Sequence, residues 1–277
     1  MVKIVTDSAS DIPAEVAEEL GIAIVPLYVR FGSEVYRDRV DLSTEEFYRK
    51  LITSRTFPTT AAPGPGDFAE VYDKLAEETE EILSIHVSSK FTVIYEAAVR
   101  GREQMKRKCR VEVIDSLSGV MGLGLIVIAA AKEAQKDVNL DQVANVVREA
   151  IPKAHVYMCF DTLEYLRRGG RIGRGRALLG SALRVNPILD IKDGEAHPVG
   201  RPRSRAKAIE KLYEFAGSFT NIRDLAIEHA TTPDEAEALA QRLSSIFPRE
   251  RIYISTVDPV VGAHVGPHVI GVALLER

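Results

Sequence analysis

The sequence predicts an α/β protein of two domains, and three observations support that fold class. The chain has 277 residues, which exceeds a typical single domain. Its first half alternates short β-branched runs with helical patterns, as an open parallel α/β/α sheet does. Its second half has longer, more mixed elements. We therefore predict an α/β parallel-sheet domain at residues 1–152 and a second α/β domain with a mixed sheet at residues 153–277.

The strands of the first sheet are predicted by four apolar runs, at residues 2–5, 22–29, 82–87 and 111–114. Helical patterns lie between most of them. Pro13 suits a first helical turn and Gly21 suits its end. Ser43 and Glu46 have the spacing of a capping box. The apolar run 119–131 is too short to span a bilayer, so it predicts a buried helix.

The second domain begins with a strand predicted at 154–160. A hairpin follows at 188–198, with its turn at Asp193-Gly194. The remaining elements are two amphipathic helices and three strands, predicted at 205–215, 233–246, 225–228, 252–256 and 269–275. These strands complete the second sheet.

Charge and cysteine content narrow the range of functions. A net charge of -4 argues against a nucleic-acid partner, which usually requires a strongly basic surface. The two cysteines, Cys109 and Cys159, lack metal-type spacing, so no metal is predicted. The first residues lack the apolar segment of a signal peptide. We therefore expect a cytoplasmic protein.

Two stretches place hydroxyl groups where an anion can bind. Ser88 and Ser89 follow a predicted strand, and Thr60 lies in a threonine pair framed by prolines. In an open α/β sheet, ligands bind beyond the carboxyl ends of the strands, where helix N-termini offer free N–H groups. The alternative is structural: a serine that caps the next helix, and a threonine that satisfies its own loop backbone.

A third stretch, residues 161–172, joins a short acidic turn, a pair of glycines and several arginines. The arginines indicate either a docking surface for an acidic partner or a solvated loop. The chain has no dinucleotide GxGxxG after a strand, no GxSxG elbow and no HExxH. No motif therefore supplies a nucleophile or a nucleotide site.

These stretches occur together with three tetrapeptides, at residues 5–8, 113–116 and 264–267. Their order along the whole chain resembles that of the DegV family of bacterial fatty-acid-binding proteins. The resemblance implies a site for the carboxylate of a long-chain fatty acid, at the domain interface. Its side chains would be Thr60, the serine pair Ser88 and Ser89, Arg203 and His264.

The resemblance also implies a partner. DegV-type proteins present the fatty acid to a separate kinase subunit, which binds ATP and phosphorylates the carboxylate to an acyl phosphate. This chain would then have no catalytic residue and no cofactor of its own. Candidate contacts for the acyl tail are Phe160, Leu163, Leu166, Leu179, Leu183 and Ile188. Candidate docking residues, for the kinase or for transient contact with anionic lipid head groups, are Arg167, Arg168, Arg171 and Arg174.

The chain departs from the family pattern near the expected site. Ala61 and Ala62 stand where a serine and a glutamine are usual, and Val93 replaces a glycine, whereas Thr92 keeps a hydroxyl. Two alternatives remain open: a lipid sensor or store without a kinase, and a small-molecule enzyme that uses His264 as general base. Turnover without a partner would support the enzyme, and acyl phosphate formed only with a kinase and ATP would support the carrier.

Overall fold

The computed structural model describes residues 1–179 and 185–277. Its first half forms a four-stranded sheet, the N-terminal sheet, in which every strand pair is parallel. In spatial order the strands are Ile22–Val25 (β2), Lys3–Asp7 (β1), Glu81–His86 (β6) and Arg110–Asp115 (β7). The predicted open parallel sheet is confirmed.

The second half forms a six-stranded C-terminal sheet. In spatial order its strands are Glu195–Gly200 (β10), Ile188–Lys192 (β9), Ala154–Cys159 (β8), Ile270–Glu276 (β13), Ile222–His229 (β11) and Ile252–Thr256 (β12). The pair β11 and β12 is parallel and the other pairs are antiparallel, so the predicted mixed sheet is confirmed. Asp193 and Gly194, with φ of 51° and 81°, turn the β9–β10 hairpin.

A small antiparallel sheet, which the sequence did not predict, lies beside the N-terminal sheet. Its strands are Glu34–Arg37 (β4), Tyr28–Phe31 (β3) and Thr59–Ala61 (β5), in that order. The run 22–29 was predicted as one strand and is two, because Pro26 separates β2 from β3 and has no N–H to donate to a ladder. The small sheet sets Thr60 opposite Val29.

Ten α-helices connect these strands in the described residues. They are Ala14–Leu20 (α1), Thr44–Thr53 (α2), Pro65–Leu75 (α3), Ile94–Glu103 (α4), Val120–Ala134 (α5), Leu140–Ala150 (α6), Glu164–Arg168 (α7), Arg205–Gly217 (α8), Pro233–Leu243 (α9) and Pro259–Val265 (α10). The predicted capping box is present on α2, where the Ser43 hydroxyl accepts from the Glu46 N–H at 3.2 Å. Gly21 ends α1 with a φ of 64°.

Helix α5 is the buried helix predicted at 119–131, and it lies between the two large sheets. It packs against β1 on one side and against β8, β11 and β13 on the other. Gly122 permits this approach, because a Cβ there would lie 2.4 Å from Val156 Cγ2. The main core therefore runs through both halves of the chain, whereas a second core lies between the outer face of the C-terminal sheet and helices α8 and α9. The domain boundary at residue 152 stays a prediction.

Candidate functional site

A cavity of about 910 Å³, including its open mouth, lies between the two large sheets and the small one. Most of its wall is apolar. Its apolar lining residues include Leu27, Val87, Met158, Phe160, Leu166 and Leu189. Within the part of the chain that the structure describes, no helix is long and apolar enough to cross a membrane, and no group of His, Cys, Asp or Glu side chains could hold a metal ion.

Polar side chains gather at one end of this cavity. Thr60, at the centre of β5, has its Oγ1 2.8 Å from Nε2 of His264, which lies in the last turn of α10. Arg171 is the one arginine or lysine among the described lining residues. Its Nε donates to the Phe91 carbonyl at 3.1 Å, and its Nη1 donates to the Gly169 carbonyl at 2.7 Å. Thr92, next to Phe91, brings a further hydroxyl into the wall.

His264 is neutral at pH 7. Burial, reinforced by the positive charge of Arg171, lowers the pKa of His264 to about 4. A neutral imidazole whose Nε2–H donates to Thr60 leaves the Thr60 hydroxyl free to donate into the cavity. The other ring nitrogen, Nδ1, is buried and has no hydrogen-bond partner among the described residues.

The paired glycines after α7 have a steric role at this site. A Cβ on Gly169 would lie 2.2 Å from His264 Nδ1, so only glycine fits beside the imidazole. Gly266, just after α10, has a φ of 83°, and a Cβ there would lie 2.5 Å from the Tyr165 ring. Helices α7 and α10 therefore pack closely enough to fix the histidine ring.

The serine pair lies close to the cavity but does not line it. The Ser88 hydroxyl is buried and donates to the Gly194 carbonyl at 2.9 Å, which ties the β9–β10 hairpin to the end of β6. The Ser89 N–H faces the Asp115 carboxylate at 3.3 Å. Neither serine is among the residues that line the cavity, whereas Thr60 and Thr92 are. The role predicted for Ser88 and Ser89 at the carboxylate stays a prediction.

Arg203 is also placed away from the cavity. It is exposed and lines a separate, polar cleft at the start of α8. In that cleft Arg205 pairs with Glu235 at 2.6 Å and with Asp161 at 3.3 Å. Arg203 does not line the cavity that contains Thr60 and His264, and the cation that does line it is Arg171. The role predicted for Arg203 stays a prediction.

The predicted tail contacts divide by strand face. Phe160 and Leu166 line the cavity, and Leu163 is buried in the same core without lining it. Ile188 belongs to the second core, because alternate strand residues face opposite sides and Leu189 takes the cavity side. Leu179 is 39% exposed. Leu183 lies outside the described residues.

Known proteins resemble this chain in sequence over its whole length. The family model for uncharacterised proteins of the DegV family matches residues 1–277. This chain belongs to the DegV family. A DegV domain-containing protein of Streptomyces coelicolor is 36% identical, across 100% of this chain and 99% of that protein. One from Caldanaerobacter subterraneus is 35% identical, with the same coverage of 100% and 99%.

Solved structures of the family share the fold over the whole chain. A DegV family protein from Thermus thermophilus, described by its fatty acid binding, has a TM-score of 0.91 and 31% identity, covering 100% of this chain and 99% of that one. DegV from Bacillus subtilis, described as a fatty acid binding protein, has a TM-score of 0.90 and 28% identity, with coverage of 100% and 99%. These likenesses confirm the fold class.

The predicted docking arginines are not equivalent in this DegV protein. Arg167 and Arg168 are exposed and pair with Glu164 of their own helix at 2.7 Å and 2.6 Å. Arg174 is exposed and lies 3.7 Å from Glu195. Arg171 differs, because its guanidinium is bound in the cavity wall. We therefore separate Arg171 from the exposed arginines.

Two residues of the candidate site were not predicted to belong to it. The hydroxyl retained by Thr92, in a run where the family usually has a serine, was the signal for the first. The second, Arg171, has no such signal, because Arg167, Arg168 and Arg174 occur in the same stretch and only the fold shows which arginine lines the cavity.

A second polar triplet resembles a hydrolase triad but cannot reach a substrate. His86 Nδ1 lies 2.9 Å from Asp7 Oδ2, and His86 Nε2 lies 2.6 Å from Ser84 Oγ. The Tyr72 hydroxyl donates to the same Ser84 Oγ at 2.7 Å. Asp7, Ser84 and His86 all have 0% exposure, so this network is structural.

Proposed function

We propose that this chain binds one long-chain fatty acid, with the carboxylate at Thr60, Thr92, Arg171 and His264 and the tail in the cavity. The observation that carries the proposal is a largely apolar cavity whose wall contains the Thr60–His264 pair and one arginine, Arg171. The binding of fatty acids by the Thermus thermophilus and Bacillus subtilis proteins supports it.

The head group is recognised through hydrogen bonds and one positive charge. A carboxylate removed from water must be paired or hydrogen-bonded. The Thr60 hydroxyl, oriented by neutral His264, and the Thr92 hydroxyl are donors, and Arg171 supplies the charge. Because the pKa of His264 is lowered to about 4, an imidazolium does not contribute this charge at pH 7.

The tail supplies most of the affinity. Burial of each CH₂ contributes about 0.8 kcal/mol, so about 14 to 16 buried carbons contribute on the order of 11 to 13 kcal/mol before the costs of binding are subtracted. The head-group contacts then determine the orientation, with the carboxylate at the polar end.

The acid is presented to a separate kinase subunit, which phosphorylates it to an acyl phosphate. The cavity residues provide hydrogen bonds and charge for such a carboxylate. The exposed residues Arg167, Arg168 and Arg174 form a positive surface close to this end, which suits an acidic patch on a partner. The chain is then a substrate-binding subunit, and ATP binds only to the partner.

Native mass spectrometry of the protein purified from a bacterial host, followed by organic extraction, tests the binding step. We expect one long-chain fatty acid per chain. Arg203→Ala, which changes a residue outside the cavity, is the control and keeps the lipid. Purified protein that holds no lipid and takes up neither palmitate nor oleate contradicts the proposal.

The docking step is tested by reversing charge at Arg167, Arg168 and Arg174 to Glu. We expect normal fatty-acid binding and slower phosphorylation by the kinase subunit, most clearly at low salt, because rim charges act on association rate and are screened. A matched triple reversal at Arg107, Lys211 and Arg242 is the control, since these exposed, ion-paired residues lie outside the cavity. Equal rates in both variants remove the arginines from the docking surface. Acyl phosphate absent even with wild type, kinase and ATP indicates a lipid sensor or store.

A further inference from the structure

The first turn of α10 is held by residues from the other half of the chain. The Asp258 N–H, at the start of α10, donates to Asp11 Oδ1 at 3.1 Å. Arg39 Nη1 lies 3.0 Å from Asp258 Oδ2. The Ser255 hydroxyl also donates to the Asp11 carbonyl. Asp11 is thus the principal contact between the segment after β1 and the base of α10.

Helix α10 connects the contacts made by Asp11 at its first turn to the candidate site. Val260, Val261, His264 and Val265 all line the cavity. The helix has only seven residues, so its first turn is adjacent to the turn that carries His264. Any displacement of its base therefore changes the position of the imidazole relative to Thr60.

Asp11 makes a second contact across the two halves, with Glu228 of β11. Both side chains are buried, and the two carboxyl groups are close enough to interact. Glu228 Oε2 accepts from the Met121 N–H at 3.1 Å. Asp11 Oδ2 and Glu228 Oε1 are buried, and neither oxygen has a hydrogen-bond donor among the described residues. Two neighbouring carboxylates buried without a donor repel each other unless one of them is protonated, so the pair holds one proton.

The surroundings favour this proton. Burial, followed by the charges of Asp258 and Glu228, raises the pKa of Asp11 well above its usual range, and burial raises the pKa of Glu228 to about 8. The other titratable or charged side chains that face the pair are Asp38, Arg39, Tyr48 and Asp258. Arg39 is the one cation among them, and it is paired with Asp258.

We propose that the proton shared by Asp11 and Glu228 latches α10 to the first half of the chain, with Asp11 as a positioning residue for His264, and that loss of this proton speeds release of the fatty acid. The inference rests on the proposed function. Ionisation of the pair places two buried carboxylates side by side, which repel each other. The contact from Asp11 to Asp258 then weakens, and the bond between Thr60 and His264 loosens.

The rate of fatty-acid release measures the latch. We expect cis-parinaric acid to leave the wild-type protein about tenfold faster at about pH 8.5 than at about pH 6, in stopped-flow transfer to phosphatidylcholine vesicles, since one pKa unit of coupling corresponds to tenfold. His264 does not titrate in this range, because its pKa is about 4. An equal rate at both pH values overturns the proposal.

Two substitutions remove the titration and keep the contacts. Asp11→Asn retains the acceptor for the Asp258 N–H and donates an N–H to Glu228, and Asn tolerates the φ of 50° at this position. Glu228→Gln is the reciprocal change. Both should flatten the pH dependence of release to less than about threefold. The matched control is Asp137→Asn, which is exposed and has a φ of 57°, and it should behave as wild type. Variants that keep the wild-type pH dependence contradict the latch.

A measurement on the wild type alone covers variants that fail to fold. Hydrogen exchange of the α10 amides, relative to those of α9 in the same sample, should be faster at the higher pH after correction for intrinsic rates. A constant ratio overturns the latch. Protein that binds no cis-parinaric acid at either pH contradicts the proposed function instead, and the exchange ratio still decides the latch.

Discussion

A buried histidine, His86, and a partly buried one, His264, sit in similar polar groups but differ in their hydrogen-bond partners. His86 has partners on both ring nitrogens, Asp7 and Ser84, and no exposure. His264 has one partner, Thr60, while its Nδ1 has none among the described residues. His86 lies within the N-terminal sheet, whereas His264 lies on a cavity wall beside Arg171.

The comparison separates structural networks from binding networks. A group whose hydrogen bonds are all made inside the protein has nothing left to offer a ligand. A group with an unused hydrogen-bonding atom at a cavity, such as the Thr60 hydroxyl that His264 orients, can still bond to a ligand, at some cost in stability. Changes around His86 should therefore act on folding, and changes around His264 should act on ligand binding.

The largest expected effect is on folding, from Asp7→Ala. Asp7 accepts from the Ala9 N–H at 3.0 Å, from His86 and from the Val87 N–H at 3.0 Å. Its removal leaves three buried groups without a partner, so we expect a loss of about 3 to 5 kcal/mol in the free energy of unfolding. Urea denaturation measures it. A loss below about 1 kcal/mol would show that the network around His86 contributes little.

The next largest effect is the pH dependence of the free energy of unfolding that His264 causes. It is opposite in sign to that of a histidine whose pKa rises on folding. Burial lowers the pKa of His264 to about 4, below its usual 6.5, so the unfolded chain takes up the proton first. The stability contributed by neutral His264 is present above about pH 6.5 and is lost as pH falls towards about 4, by at most about 3 kcal/mol.

Urea denaturation of wild type and His264→Gln across this pH range provides the measurement. The difference between the two proteins isolates His264, because other buried groups titrate equally in both. A difference that is constant with pH would show that His264 has an ordinary pKa.

Local sequence patterns predict several elements of the fold and two residues of the candidate site. The β-branched runs gave the N-terminal sheet, the Asp193-Gly194 turn gave the hairpin, and the capping box gave the start of α2. Thr60 and His264, 204 positions apart, were both predicted at the head group, and they lie in contact. Their predicted role in binding the carboxylate stays a prediction.

The remainder depends on information that a local pattern lacks. Periodicity shows that side chains alternate between the two faces of a strand, but not which face meets the cavity. The sequence therefore predicts Ile188 as a tail contact, whereas Leu189 is the residue that lines the cavity. A run of arginines does not reveal which member turns inward. The contact between Asp11 and Asp258 spans 247 positions, and neither residue lies in a motif.

A smaller effect is expected on the binding side. Thr60→Val and Thr92→Val each remove one hydrogen bond to the charged carboxylate, at about 1.5 to 3 kcal/mol, or roughly tenfold to hundredfold in affinity for oleate. Both changes preserve side-chain volume, and Thr92→Val should change the free energy of unfolding little. Thr60→Val also leaves His264 Nε2 without its partner and should lower that free energy by about 1 to 3 kcal/mol. Isothermal titration with delipidated protein measures the affinity. Wild-type affinity in both variants would move the carboxylate away from this end.

The smallest effect is predicted for Ser89→Ala, which removes a hydroxyl that does not line the cavity. Ser89 lies just after the end of β6, where a ligand-binding residue is expected. Its backbone N–H is directed at Asp115, however, and its side chain does not line the cavity. We therefore expect oleate affinity within about twofold of wild type, because no hydrogen bond to the carboxylate is lost. A loss of tenfold or more would return the head group to the serine pair and would require the cavity wall to rearrange when the lipid binds.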